Sequence, residues 1–281
     1  MQKLVILGSA QDGGVPHIGC ACSHCQQARH DPAAVRMAPS LGIIDLEADK
    51  AFVIDASPHL PDQLYRLRSR RGREESPFLP DAIFLTHAHI GHYLGLAYLG
   101  KEGWNTQALP LYCTAEMESF LRHNKPFRYL LEQGNVCCHR LLPHQRHPLT
   151  PALSLLPVEV PHRNEDANTL AYVIQGRTLS VLYMPDLDYY TEAVLALIRE
   201  VDIAIIDGTF FSGSELPAMR MAGVPHPPVV ESLARLEGIQ TRIIFTHLNH
   251  TNPLLDPAHP AWQRVSAAGF AVAKEGEEIE I

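Results

Sequence analysis

The stretch that most constrains this chain is Phe84-Leu-Thr-His-Ala-His-Ile-Gly-His-Tyr-Leu-Gly-Leu96, where three histidines follow a short apolar run. Residues 82–85 have the composition of a buried strand, and residues 93–99 are expected to form a helix after it. Alternate residues of an extended segment point the same way, so His87 and His89 can converge on one point. His92, three residues on, can lean over the same spot. Neutral imidazole suits Zn, Fe, Mn or Cu, and the turn reads as a metal site rather than a His-rich surface loop.

The 281 residues contain 46% hydrophobic and 19% charged residues, enough apolar surface for a real core. No linker or low-complexity break interrupts residues 1–281, so a single domain is expected. The formal net charge of −8 argues against sequence-independent nucleic-acid binding. The apolar runs are too short for a signal peptide or a membrane span, and a cytoplasmic protein is expected. Three of the six cysteines crowd into Cys20-Ala-Cys22-Ser-His-Cys25, a spacing that reads as a metal knuckle rather than as disulfides. Cys137 and Cys138 read as core or half-buried residues.

Read in order, the chain alternates apolar strands with turns that carry ligand-type side chains. Asp55, His87, His89, His162, Asp186, Asp207 and His247 each follow such a strand, where layered α/β folds place their sites. Several neighbours have simpler readings. Asp12, in the Gly-rich loop after the first strand, either caps a turn or approaches the metals in place of another carboxylate. Asp188 is expected to cap the following helix. Asp207 is a candidate acceptor for a metal-bound histidine. His17, His24, His59 and His259 read as surface residues. The run Arg66, Arg68, Arg70, Arg71, Arg73 precedes Glu74 and Glu75 and reads as a solvated helix end.

Thr-His-x-His-x-x-His, the later strand-end His162 and Asp186, and the late Thr-His247 resemble the ordered motifs of the metallo-β-lactamase-fold superfamily. Within it, Leu-Gly-Ser-Ala-Gln-Asp-Gly-Gly, Cys-x-Cys-x-x-Cys, Pro-Asp-Leu-Asp, Asp-Gly-Thr-Phe-Phe and Phe-Thr-His-Leu-Asn-His-Thr-Asn-Pro resemble the pyrroloquinoline quinone biosynthesis protein B group. The cyclic phosphodiesterases of phosphonate breakdown are a second likeness. The resemblance spans residues 4 to 257. It implies a four-layer α/β/β/α sandwich with its cleft between the tops of two sheets. It also implies a first metal on His87, His89 and His162, and a second on His92 and His247, with Asp186 bridging. The superfamily carries an Asp two residues after the second His, whereas this chain has Gly91. One full and one weak metal position is therefore expected.

Two chemistries stay open for the cleft, with Zn, Mn or Fe as its metal. Either a metal-bound hydroxide attacks an ester or phosphodiester, or a two-His, one-carboxylate iron centre oxidises a precursor of a quinone cofactor. A non-catalytic carrier of a cofactor or intermediate is the third reading. Asp186 and His226 are the candidate catalytic residues, the latter lining the cleft from Pro225-His226-Pro227. A small-molecule substrate is expected, with no nucleic-acid or membrane partner, and a homodimer is compatible with the sequence. The knuckle calls for a structural zinc on Cys20, Cys22, Cys25 and a fourth ligand. His250, three residues past His247, can be sent to it by the turn after the last ligand strand, and the phosphodiesterase likeness points to the same late His.

Overall fold

Residues that alternate along each central strand divide between two different cores. Leu4 and Ile6 of the first strand pack into one apolar cluster, and Val5 and Leu7 into another. Such a strand is covered on both faces, which places it inside a layered α/β protein. The protein is described here by a computed structural model covering residues 1–72, 77–163, 165–217, 221 and 223–281.

The first sheet has seven strands. In spatial order they are β14 (Glu278–Glu280), β1 (Gln2–Gly8), β2 (Ser40–Asp45), β3 (Lys50–Ile54), β4 (Ala82–Phe84), β5 (Leu109–Cys113) and β6 (Val136–Arg140). The second sheet also has seven. They run β13 (Ala271–Val272), β12 (Arg242–Thr246), β11 (Ile203–Asp207), β10 (Ser180–Met184), β9 (Leu170–Gln175), β8 (Leu153–Glu159) and β7 (His147–Thr150). Leu4, Ile6, Ile43 and Phe84 meet Tyr172, Ile174, Ile205 and Ile244 between the sheets. Leu60, Leu64 and Leu67 of the helix Leu60–Arg70 cover the outer face of the first sheet. Val194 and Ile198 of the helix Glu192–Arg199, with Val265 of the helix Pro260–Ala267, cover the second. The result is the four-layer α/β/β/α sandwich.

Strands β3 to β6 are mutually parallel, as are β10 to β13. Their carboxyl ends open toward one cleft. The His turn is fixed there by the opposite sheet: the Tyr172 hydroxyl donates to Leu85 O, and Leu170 N–H donates to Thr86 O at 3.0 Å. The helix expected after this turn is one α turn, Ile90–Tyr93, followed by a 3-10 stretch, Leu94–Leu99. Its backbone is diverted because Gly95 N–H donates to Ala56 O and Ala56 N–H to His92 O, both at 2.8 Å.

Other expectations need correction. Cys137 is exposed rather than half-buried, because it stands on the outer strand β6. His59 is half-buried and its Nδ1 accepts the Ala38 N–H, while His17 lies against His250 with ring centroids 4.6 Å apart and planes tilted by 33°. The arginine run is bound rather than merely solvated. Arg66 pairs with Glu275, Arg70 with Glu278 and Arg71 with Asp49; Arg73, Glu74 and Glu75 lie outside the described residues.

Candidate metal centre

His87 and His89 leave β4, His92 opens the next turn, and His162 follows β8. Asp186 follows β10 and His247 follows β12, at a φ of 62° that turns the chain sharply. The structure brings all six together. One donor atom each from His87, His89, His162 and Asp186 fall within 4.8 Å of one another. His87 Nε2 and His162 Nε2 lie 2.9 and 3.2 Å from His89 Nδ1. Asp186 stands between two groups: its Oδ1 is 3.5 Å from His162 Nε2 and 3.4 Å from His247 Nε2, and its Oδ2 is 3.2 Å from His92 Nε2.

Each ring except that of His89 is held from behind. Asp55 Oδ2 accepts from His92 Nδ1 at 2.7 Å, and Asp188 Oδ1 from His162 Nδ1 at 2.8 Å. Asp207 Oδ2 takes His226 Nδ1 at 2.5 Å. The Thr86 hydroxyl donates to Asp55 and accepts from His87 Nδ1 at 2.9 Å. The Thr209 hydroxyl donates to Asp207 and accepts from His247 Nδ1 at 2.8 Å. These contacts protonate Nδ1 and leave Nε2 free to face the cleft, the arrangement that orients metal-bound imidazoles. Asp207 therefore acts on two histidines, one directly and one through Thr209. Asp188 does not cap its helix; Thr191 does, accepting from Val194 N–H. Thr86 and Thr209 carry no signal in the sequence beyond lying beside His87 and Asp207.

The donor set fits a cation. His92 Nε2, His247 Nε2 and Asp186 Oδ2 are buried without a hydrogen-bond partner, a costly arrangement unless something positive satisfies them. Burial keeps His87 and His247 neutral by pushing them well below the ordinary imidazole range, and lowers His89 to about 4. Burial also raises Asp186 to about 7. His92 resists its own burial because Asp55 and Asp186 hold it up at about 9. Without a metal, an imidazolium balances the buried carboxylates.

A second group lies beside the cleft wall. Cys20 Sγ and Cys22 Sγ are 3.3 and 3.6 Å from His250 Nδ1, and Cys25 completes a set within 4.8 Å. Burial pushes the Cys25 thiol up to about 12, so a thiolate there requires a cation against it. Three sulfurs and one imidazole are the donors of a closed tetrahedral zinc. His24 is turned away, its Nδ1 on His250 O at 3.1 Å.

The β-lactamase superfamily domain model matches residues 50–248. Coenzyme PQQ synthesis protein B of Methylobacterium radiotolerans is 30% identical, covering 99% of this chain and 100% of the relative. The chain belongs to the metallo-β-lactamase superfamily and, within it, to the coenzyme PQQ synthesis protein B family. A Rhizobium meliloti member of that family is 27% identical over 99% of this chain and 98% of its own. The Zn(2+)-bound PqqB of Methylobacterium extorquens shares the fold, with TM-score 0.84 and 23% identity over 99% of this chain and 100% of that one. A diphosphatase of the PhnP family superposes with TM-score 0.72 and 26% identity, covering 100% of this chain and 97% of that one. Among the described residues, no helix of this PqqB-family chain is long and apolar enough to cross a membrane.

Proposed function

We propose that this protein is a metal-dependent hydrolase of a small anionic ester or phosphodiester, and that it serves the synthesis of coenzyme PQQ. The carrying observation is His226, whose Nδ1 is held by Asp207 while its partnerless Nε2 faces the ligand cluster. Its ring lies 5.4 Å from that of His162 and 5.8 Å from that of His247. His87, His89, His162, Asp186, His92 and His247 would hold the cleft metals. A metal bound there supplies a water acidic enough to be hydroxide near neutral pH. As the water oxygen bonds to phosphorus or carbonyl carbon, the bond from that centre to the leaving oxygen would break, and His226, protonated at both ring nitrogens, would give its Nε2 proton to that oxygen. Asp207 raises His226 against the effect of its burial, which keeps that proton available. Asp186, set between the two groups of histidines, orients the attacking oxygen. Arg163, at the mouth of a cleft of about 540 Å³ with Tyr93 and Phe120, offers a cation to the anionic part of the substrate. The full-length likeness to coenzyme PQQ synthesis protein B supports the pathway, and the diphosphatase likeness supports hydrolysis.

His92, His247 and Asp186 also form the two-His, one-carboxylate set of iron oxygenases. The origin of the oxygen separates the two readings. Turnover of phosphodiesters, diphosphates and lactones in ¹⁸O-water should place the label in the product. Label entering from ¹⁸O₂, with iron as the active metal, would replace the hydrolase by the oxygenase.

A further inference from the structure

Gly91 stands where the superfamily pattern has a carboxylate, and the structure shows what has taken the space. A Cβ built on Gly91 would lie 2.2 Å from Asp12 Oδ1 and 2.5 Å from Asp12 Cα. Nothing larger than hydrogen fits there while Asp12 keeps its place. Instead the Gly91 N–H donates to Asp12 Oδ1 at 3.1 Å, drawing the carboxylate onto the His turn. Asp12 Oδ1 is 3.6 Å from His92 Nε2, and one donor atom each from Asp12, His92 and His247 lie within 4.8 Å of one another. Gln11 Nε2 donates to Asp12 Oδ2 at 3.2 Å, which leaves Oδ1 as the oxygen turned to the imidazoles.

The loop that delivers Asp12 is fixed by the segment that delivers His247. Leu248 N–H donates to Ser9 O at 2.8 Å, and Gln11 N–H donates to Leu248 O at 2.9 Å. Two segments more than 230 residues apart thus bring their side chains to one point through a shared bridge at Ala10 and Leu248.

We propose that Asp12 is the terminal carboxylate ligand of a second cleft metal, with His92 and His247, and that Gly91 is the residue that admits it. The ligand has moved from the His motif to the loop after β1, and the carboxylate count of the site is conserved. The asymmetric occupancy expected from Gly91 alone then gives way to two well-held metals. This rests on the cleft being a metal centre, and metal counting tests the two separately.

The experiment measures zinc or manganese per chain by elemental analysis after dialysis against graded chelator. Wild type, Asp12→Asn, Asp12→Ala, Gly91→Asp and the exchange Asp12→Gly with Gly91→Asp are compared, with circular dichroism as the fold control. Wild type should hold two cleft metals besides the knuckle zinc. Asp12→Asn keeps the shape of the side chain without its charge, and should weaken one cleft metal at least about tenfold while sparing the other. Gly91→Asp alone should lose the same metal, since both carboxylates cannot occupy the space. The exchange should recover it, a rescue that a merely structural Asp12 would not give. If Asp12→Asn and Asp12→Ala both keep the wild-type cleft metals at wild-type affinity, Asp12 is not a ligand. A wild type with no cleft metal would overturn the metal centre itself.

Discussion

At the scale of single residues, the cleft is built from pairs in which a strand-end carboxylate or hydroxyl sets an imidazole. Asp55 holds His92 directly and reaches His87 through Thr86; Asp207 holds His226 directly and reaches His247 through Thr209. The same device occurs once on each sheet. The symmetry makes His226 the counterpart of His92; one donor atom each from His226, Asp186 and His247 lie within 4.8 Å of one another, and proton transfer is the role we propose for it there. His226→Gln should therefore lower kcat by roughly 10²–10⁴ while leaving cleft metal content unchanged. Loss of a metal along with activity would show it to be a ligand instead. Asp188 offers a cleaner test of the orienting contacts because its carboxyl is near the surface. Asp188→Ala should weaken the metal held by His162 about 10–100-fold with little change in the melting temperature of the metal-free protein; unchanged affinity would rule out the role. The strand-end ligands were legible because apolar runs end abruptly in His or Asp. Of their supporting partners Asp207 could be read from its strand-end place, whereas Asp188, two residues past Asp186, looks like any helix cap until Thr191 is seen to do that work.

At the scale of elements, the turn after β12 has two destinations. His247 enters the cleft, and His250, three residues on, meets Cys20 and Cys22. We expect a zinc held there to tie the N-terminal loop to the C-terminal sheet. Cys22→Ser should lose one zinc, lower the melting temperature and leave the first cleft metal in place. Full zinc content with an unchanged melting temperature would remove the knuckle from the account. Because the loop carrying Asp12 lies between β1 and the knuckle, the second cleft metal should weaken in the same variant, and metal titration would read that. Most strands could be read from runs such as Ile203–Asp207, whose uniform burial leaves an uninterrupted apolar pattern. The peripheral strands His147–Thr150, Ala271–Val272 and Glu278–Glu280 could not. They are short and half-exposed, and their pairing with β8, β12 and β1 is a tertiary fact with no local period to announce it.

At the scale of the whole molecule, the cleft ligands come from both halves. His87, His89 and His92 hang from the first sheet, and His162, Asp186 and His247 from the second. A metal held by both is a cross-link between the sheets, formed only when the sheets have closed on their shared core of Phe84, Tyr172, Ile205 and Ile244. Binding to the folded state alone stabilises by RT ln(1 + [L]/Kd), about 4 kcal/mol at a thousandfold excess over Kd. For a chain of this size that corresponds to a rise of roughly 10 °C in the melting temperature. Metal removal should also leave charge behind, since Asp186, Asp55 and Asp12 then gather around the imidazolium of His92, with His226 the other raised imidazole acting on Asp186. We therefore expect stepwise behaviour. A mild chelator should strip the cleft first and lower the calorimetric midpoint by about that amount, with the zinc count falling to that of the knuckle. Adding metal back should restore both. In His89→Ala the shift should shrink, because the group with His87 and His162 then lacks the nitrogen at its centre. Identical midpoints for the stripped and reloaded wild type would mean that the ligands do not bridge the two sheets through a metal.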